Sequence, residues 1–115
     1  MNQPKEKIAL VTGANRGIGK QVSIDLAKQG IYVLVGSRNE SDAEDTLKEV
    51  TSVGKGEIVS IDVSKEQSIN EVLDMITGSF GRLDILVNNA GLEAFSQTLV
   101  LFLIPHRKTY TELYL

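Results

Sequence analysis

Apolar residues fall in two alternating rhythms along this chain. Ile8-Ala9-Leu10-Val11 is a short unbroken apolar run, which predicts a buried strand. Ile18, Val22 and Leu26 then recur every four residues, the spacing of one helix face, and Gly30 stands where a helix-ending glycine belongs. A second strand is predicted over Ile31–Val35. A second helix opens at the S-x-x-E capping box of Ser41–Glu44 and carries Ala43, Leu47 and Val50, until Gly54–Gly56 breaks it. Glu57–Val63 is the third predicted strand. Another capping box, Ser64–Gln67, starts a helix with Ile69, Val72, Leu73, Ile76 and Phe80 on one face, closed by Gly81. Leu83–Val87 is the fourth predicted strand.

Strands this apolar, alternating with amphipathic helices, imply an α/β fold. Right-handed crossovers make it a Rossmann-like, doubly wound parallel sheet. The chain has 115 residues, 42% hydrophobic and 23% charged, as one globular domain would. A net charge of −3 argues against a nucleic-acid partner held by overall positive charge. The absence of cysteine excludes disulfides and thiolate metal sites, and a single histidine excludes a histidine-rich one, so no metal is expected. The start, "MNQPKEKIAL", has no apolar signal segment, and no apolar run approaches the roughly 20 residues of a membrane helix. The reading is therefore no membrane and a cytoplasmic location.

In such sheets ligands bind at the carboxyl ends of the strands. Those ends are Thr12-Gly13, Ser37-Arg38, Asp62-Val63 and Asn88-Asn89-Ala90-Gly91, each polar or small after an apolar strand. The stretch Thr12 to Gly19, "TGANRGIG", lies on a strand-to-helix turn. A helix N-terminus offers unpaired N–H groups and partial positive charge, and missing side chains let a phosphate reach the backbone. A plain glycine-rich turn is the bland alternative. The spacing is not G-x-G-x-x-G.

With "TGANRGIG", "DV" after the third strand and "NNAG" after the fourth, Lys7 to Gly91 resembles the short-chain dehydrogenase/reductase family, such as carbonyl reductases and 3-oxoacyl carrier-protein reductases. Thr12, Gly13, Gly17 and Gly19 fill the family's T-G-x-x-x-G-x-G pattern. The resemblance implies that Gly13, Gly17 and Gly19 let the backbone close on a dinucleotide pyrophosphate, that Asn15 and Arg16 in the same loop bind the cofactor, and that Ile18 packs beside the nicotinamide end. It implies that Asp62 accepts from the adenine amino group with Val63 alongside, that Asn88 braces the central strand, and that Ala90 and Gly91 line the cofactor. Asp62 also reads as a helix N-terminal acid, and Asn88-Asn89 as a turn pair. The second strand ends in Ser37-Arg38, without the acid that repels a 2′-phosphate. Arg38, with Arg16 opposite, suits that phosphate, so NADP(H) is expected over NAD(H).

The family's Tyr-x-x-x-Lys pair falls beyond "NNAG". Tyr110 has Tyr114, not a lysine, four residues on, and Ser96 comes too early for the family's serine. No catalytic residue is assigned. Residues 1–91 read as the cofactor-binding part, with the sheet truncated after about four strands. Residues 92–115 read as a divergent tail, apolar from Leu99 to Ile104 and broken by Pro105. Two functions stand: carbonyl or alcohol oxidoreduction by ancestry, with this chain alone inactive, or a non-catalytic NADP(H)-binding or interaction module. The second would form homo- or hetero-oligomers with full-length relatives through the tail or through the fourth strand's edge, which is open unless the tail or another chain covers it.

Overall fold

The computed structural model describes residues 6–89 and 111–114. Strand β1 (Ile8–Val11) is buried along its whole length. Its side chains alternate between two cores: Ile8 and Leu10 belong to one, Val11 to the other. The chain then winds outward through α1 (Gly17–Lys28), β2 (Tyr32–Ser37), a 3-10 turn (Glu40–Ala43), α2 (Glu44–Val53) and β3 (Lys55–Ser60). Helix α3 (Glu66–Phe80) returns it to β4 (Ile85–Asn88) on the opposite side of β1. Every strand pairing is parallel and the order is β3-β2-β1-β4-β5, with β5 at Thr111–Tyr114.

The helices divide between the two faces. Ala27 of α1 and Val50 of α2 join Val11, Val33, Val35 and Val87 in one core. Ile69, Val72 and Ile76 of α3 join Leu10, Leu34 and Leu86 in the other. The crossover direction reverses between β1 and β4. That reversal opens a crevice beyond their carboxyl ends, where an open parallel sheet binds its ligand.

Several local details depart from the hydrophobic pattern. On α1 the buried stripe is Gly19, Ser23 and Ala27, one residue on from Ile18, Val22 and Leu26. Three small residues let the helix sit close to the strands. Val22 and Leu26 flank that contact half-buried, and Ile18 is 62% exposed. Neither capping box forms. Asn39 caps the 3-10 turn, accepting from Ser41 N at 3.1 Å and Ser41 Oγ at 2.8 Å, and α2 starts after it without a side-chain cap. Ser64 donates its hydroxyl to Asp62 Oδ1 at 2.6 Å, so α3 begins at Glu66 after Lys65. That turn at Asp62 also ends β3 at Ser60, earlier than the apolar pattern suggests. Gly81 closes α3 at φ 75°, as expected.

To the four strands read from the sequence the structure adds a fifth. Thr111–Tyr114 pairs with β4 in the register Ile85↔Thr111 to Asn88↔Tyr114. A four-stranded sheet would leave the backbone groups of β4 unpaired on that side, and the tail's own strand satisfies them. The apolar run Leu99–Ile104, with Ser96 and Tyr110, lies outside the described residues.

Candidate functional site

The glycine loop joins β1 to α1 at the centre of the sheet. Gly13 (φ 62°) and Gly17 (φ 60°) adopt the left-handed conformation that a side chain disfavours. Gly19 serves a different purpose. A Cβ there would lie 2.4 Å from the Gly13 carbonyl oxygen and 2.6 Å from Asn89 Nδ2. Its bare backbone lets the first turn of α1 rest on the loop. That turn carries no acidic residue, and Arg16 at the N-cap makes no side-chain capping bond. Helices α2 and α3, by contrast, begin with Glu44 and Asp45 and with Glu66. Among the α-helices of the described residues, α1 alone leaves the positive end of its dipole uncompensated in its first turn.

Neutral side chains and backbone groups fasten the loop. Asn89 Nδ2 donates to the Gly13 carbonyl at 3.0 Å, and Asn89 N donates to Thr12 Oγ1 at 3.0 Å. Ala14 N donates to the Gly36 carbonyl at 2.8 Å. Thr46 Oγ1 donates to the Ala14 carbonyl at 2.9 Å. β2, α2 and the tip of β4 thus hold the same few peptides.

A cavity of about 670 Å³ opens at this edge. The glycine loop contributes Gly13, Asn15, Arg16 and Gly17; the end of β2 contributes Ser37 and Arg38; the stretch after β3 contributes Asp62 and Val63. These eight expected residues converge. Thr12, Gly19 and Asn88 are buried and do not line the cavity, and neither does Ile18. Ala90 and Gly91 lie outside the described residues. Three lining residues were not expected in the site, Asp42, Ile61 and Ser64, and Asn89 was expected only as part of the fourth strand's tip. Asn89 stands inside the quoted "NNAG", so its position was visible. Its two bonds to a loop 76 residues earlier were not.

Asp62 is held ionised. Hydrogen bonds from the Ser64 hydroxyl and N–H pull its carboxyl below the usual carboxylate range, and the Arg38 charge adds a smaller push the same way. Both Ser64 bonds fall on Oδ1, and Oδ2 accepts neither of them. The arrangement offers backbone donors and a helix dipole for a phosphate, two guanidinium groups, and an ionised carboxylate. Among the described residues no cluster of three or more His, Asp or Glu side chains could hold a metal ion, and no helix is long and apolar enough to cross a membrane.

The family model for short chain dehydrogenases matches residues 7–102. The chain is 43% identical over 88 residues to the short-chain dehydrogenase/reductase homolog YusS of Bacillus subtilis, covering 75% of this chain and 81% of that protein. It spans 30 to 36% of the length of the next curated relatives it matches. Two solved structures frame the cofactor question. A metagenomic short-chain oxidoreductase in complex with NADP superposes with a TM-score of 0.72 at 32% identity, covering 75% of this chain and 39% of that one. A 3-ketoacyl-(acyl-carrier-protein) reductase from Brucella melitensis, complexed with NADH, superposes with a TM-score of 0.77 at 29% identity, covering 87% and 49%.

Proposed function

The chain belongs to the short-chain dehydrogenase family, and from that premise we propose that its cavity binds NADP(H) in preference to NAD(H). Arg38 and Arg16 carry the reading: both line the cavity that the glycine loop opens into. The pyrophosphate would lie on the loop backbone and the uncapped end of α1, where a phosphate finds N–H donors and no side chain in its way. Arg38, in place of the carboxylate that grips a ribose diol, would bind the 2′-phosphate through its planar fork, with Arg16 as the second cation. Asp62 would accept from the adenine amino group through Oδ2, with the Val63 backbone alongside. Relatives solved with NADP and with NADH share the fold, so the preference is argued from this chain's own residues.

Bound NADPH supplies a hydride from its nicotinamide ring to a carbonyl carbon. We assign carbonyl or alcohol oxidoreduction to the whole protein of this family and no catalytic residue to this chain. Binding of the dinucleotide is what its residues perform. Because β5 pairs the outer edge of β4, docking of a full-length relative along that strand is disfavoured. A cytoplasmic location belongs to the same reading.

The test is calorimetric titration of the full 115-residue chain and its Arg38→Ala variant with NADPH and NADH. Losing a charged hydrogen bond to phosphate weakens NADPH roughly 10- to 100-fold while NADH changes little. Equal losses for both cofactors, or none, would remove Arg38 from the 2′-phosphate.

A further inference from the structure

Thr46 does not line the cavity, yet it holds the loop that does. It sits in the first turn of α2, fully buried, and its hydroxyl crosses to the Ala14 carbonyl, 32 residues away in sequence. A helical threonine ordinarily turns its hydroxyl onto a carbonyl three or four residues back. Thr51 of the same helix does so, onto Leu47 at 2.9 Å and Lys48 at 3.3 Å. A helix interior has no preference for threonine. A buried hydroxyl must find a partner, and this one finds it in the loop.

The peptide plane carries the consequence. In a trans peptide the C=O and the following N–H point in opposite directions, and the described chain contains only trans peptides. With the Ala14 carbonyl fixed toward α2, the Asn15 N–H is turned away from α2. Asn15 and its neighbours Arg16 and Gly17 line the cavity. The preceding peptide is fixed at both ends as well, its Gly13 carbonyl by Asn89 and its Ala14 N–H by Gly36. Two successive peptides therefore have one orientation each, and Thr46 is the side chain that sets the second.

We propose that Thr46 is a positioning residue of the dinucleotide site: through the Ala14 carbonyl it aims the Asn15 N–H at a cofactor phosphate. The role rests on the dinucleotide reading above. Thr46→Val keeps the shape and removes the hydroxyl, whereas Thr46→Ser keeps the hydroxyl. Titrated with NADPH well below their melting temperatures, T46V is expected to bind roughly tenfold more weakly than wild type, and T46S within about twofold of it. A purely structural threonine would not show rescue by serine in affinity. Wild-type affinity in T46V, or T46S as weak as T46V, overturns the role. The second measurement needs no variant: amide hydrogen exchange of wild type with and without NADPH. Slowed exchange at Asn15 supports the proposal even if T46V does not fold, and unchanged exchange there overturns it. Failure of the wild type to bind NADPH overturns the dinucleotide reading itself, and this role falls with it.

Discussion

The two edges of the sheet hold charge in opposite ways. At the amino ends of the strands, charged groups are bound within the fold. Asp84 accepts from Ile8 N at 2.8 Å and from Arg82 Nε at 3.0 Å, while Arg82 Nη2 donates to the Glu6 carbonyl at 2.7 Å. Tyr32 donates its hydroxyl to Glu57 at 2.9 Å, and burial, helped by that bond, pushes the phenol up to about 12. At the carboxyl ends the loop is fastened by Asn89, Thr12 and Thr46, all neutral. Among the described residues neither Arg16 nor Arg38 forms an ion pair within 4 Å. One edge uses its charges to join β1, β4 and the segment before them. At the other, neutral bonds fasten the glycine loop, and Arg16 and Arg38 line the cavity outside any ion pair among the described residues.

The comparison predicts that substitutions at the two edges separate stability from binding. The largest effect belongs to Gly19→Ala. Its methyl would meet a backbone carbonyl, which moves only with the loop, so a loss of about 1–3 kcal/mol or more and of NADPH binding is expected. Gly78→Ala on α3 is the control, because open space surrounds it. It is expected to gain about 0.5–1 kcal/mol from helix propensity and to bind normally. Thermal unfolding and calorimetry together distinguish the two.

Asp84→Ala comes next. Removing a carboxylate that accepts charged and backbone hydrogen bonds destabilises by about 1–3 kcal/mol, while the NADPH affinity of the folded chain stays at its wild-type value. Arg38→Ala should do the reverse, with affinity falling and the melting temperature steady. If D84A loses affinity in proportion to stability, the two edges are not separable.

The smallest effect is expected at Asp42. Asp42 lines the cavity with Arg38, and on the proposed reading its charge would oppose a 2′-phosphate at partly screened range. Asp42→Asn should therefore tighten NADPH binding by roughly threefold, less at high salt, and leave NADH nearly unchanged. Weaker NADPH binding in D42N would mean that Asp42 orients Arg38 instead of opposing the ligand.

The sequence was most legible where a rule is local. The alternation of apolar strands and periodic helices placed β1, α1, β2, α2, β3, α3 and β4, and "TGANRGIG" placed the loop between β1 and α1. Of the four strand tips named as a site, three regions supply the eight expected residues that line the cavity, and the fourth tip adds only Asn89. What it left hidden were contacts between distant positions. Thr46 looks like an ordinary helical residue until α2 is laid against the loop, and Asn89 looks like half of a turn pair until β4 is laid against β1. Ile18 satisfied the four-residue spacing, but the tight fit of Gly19 on the loop rotated the buried stripe by one position. Ser41 and Ser64 fitted a capping pattern that nearby Asn39 and Asp62 rearranged. The pairing of Thr111–Tyr114 with β4 follows no signal in "TELY" itself; it depends on an unpaired strand edge elsewhere in the chain.

The measurement that bears most directly on the central claim is a backbone amide NMR titration of the full chain with NADPH. Saturable shifts are expected at Gly13, Asn15 to Gly17, Arg38 and Asp62 to Ser64, with Arg82 to Asp84 unmoved at the opposite edge. Saturable shifts centred on the opposite edge, or none at the glycine loop of a folded chain, would contradict that claim.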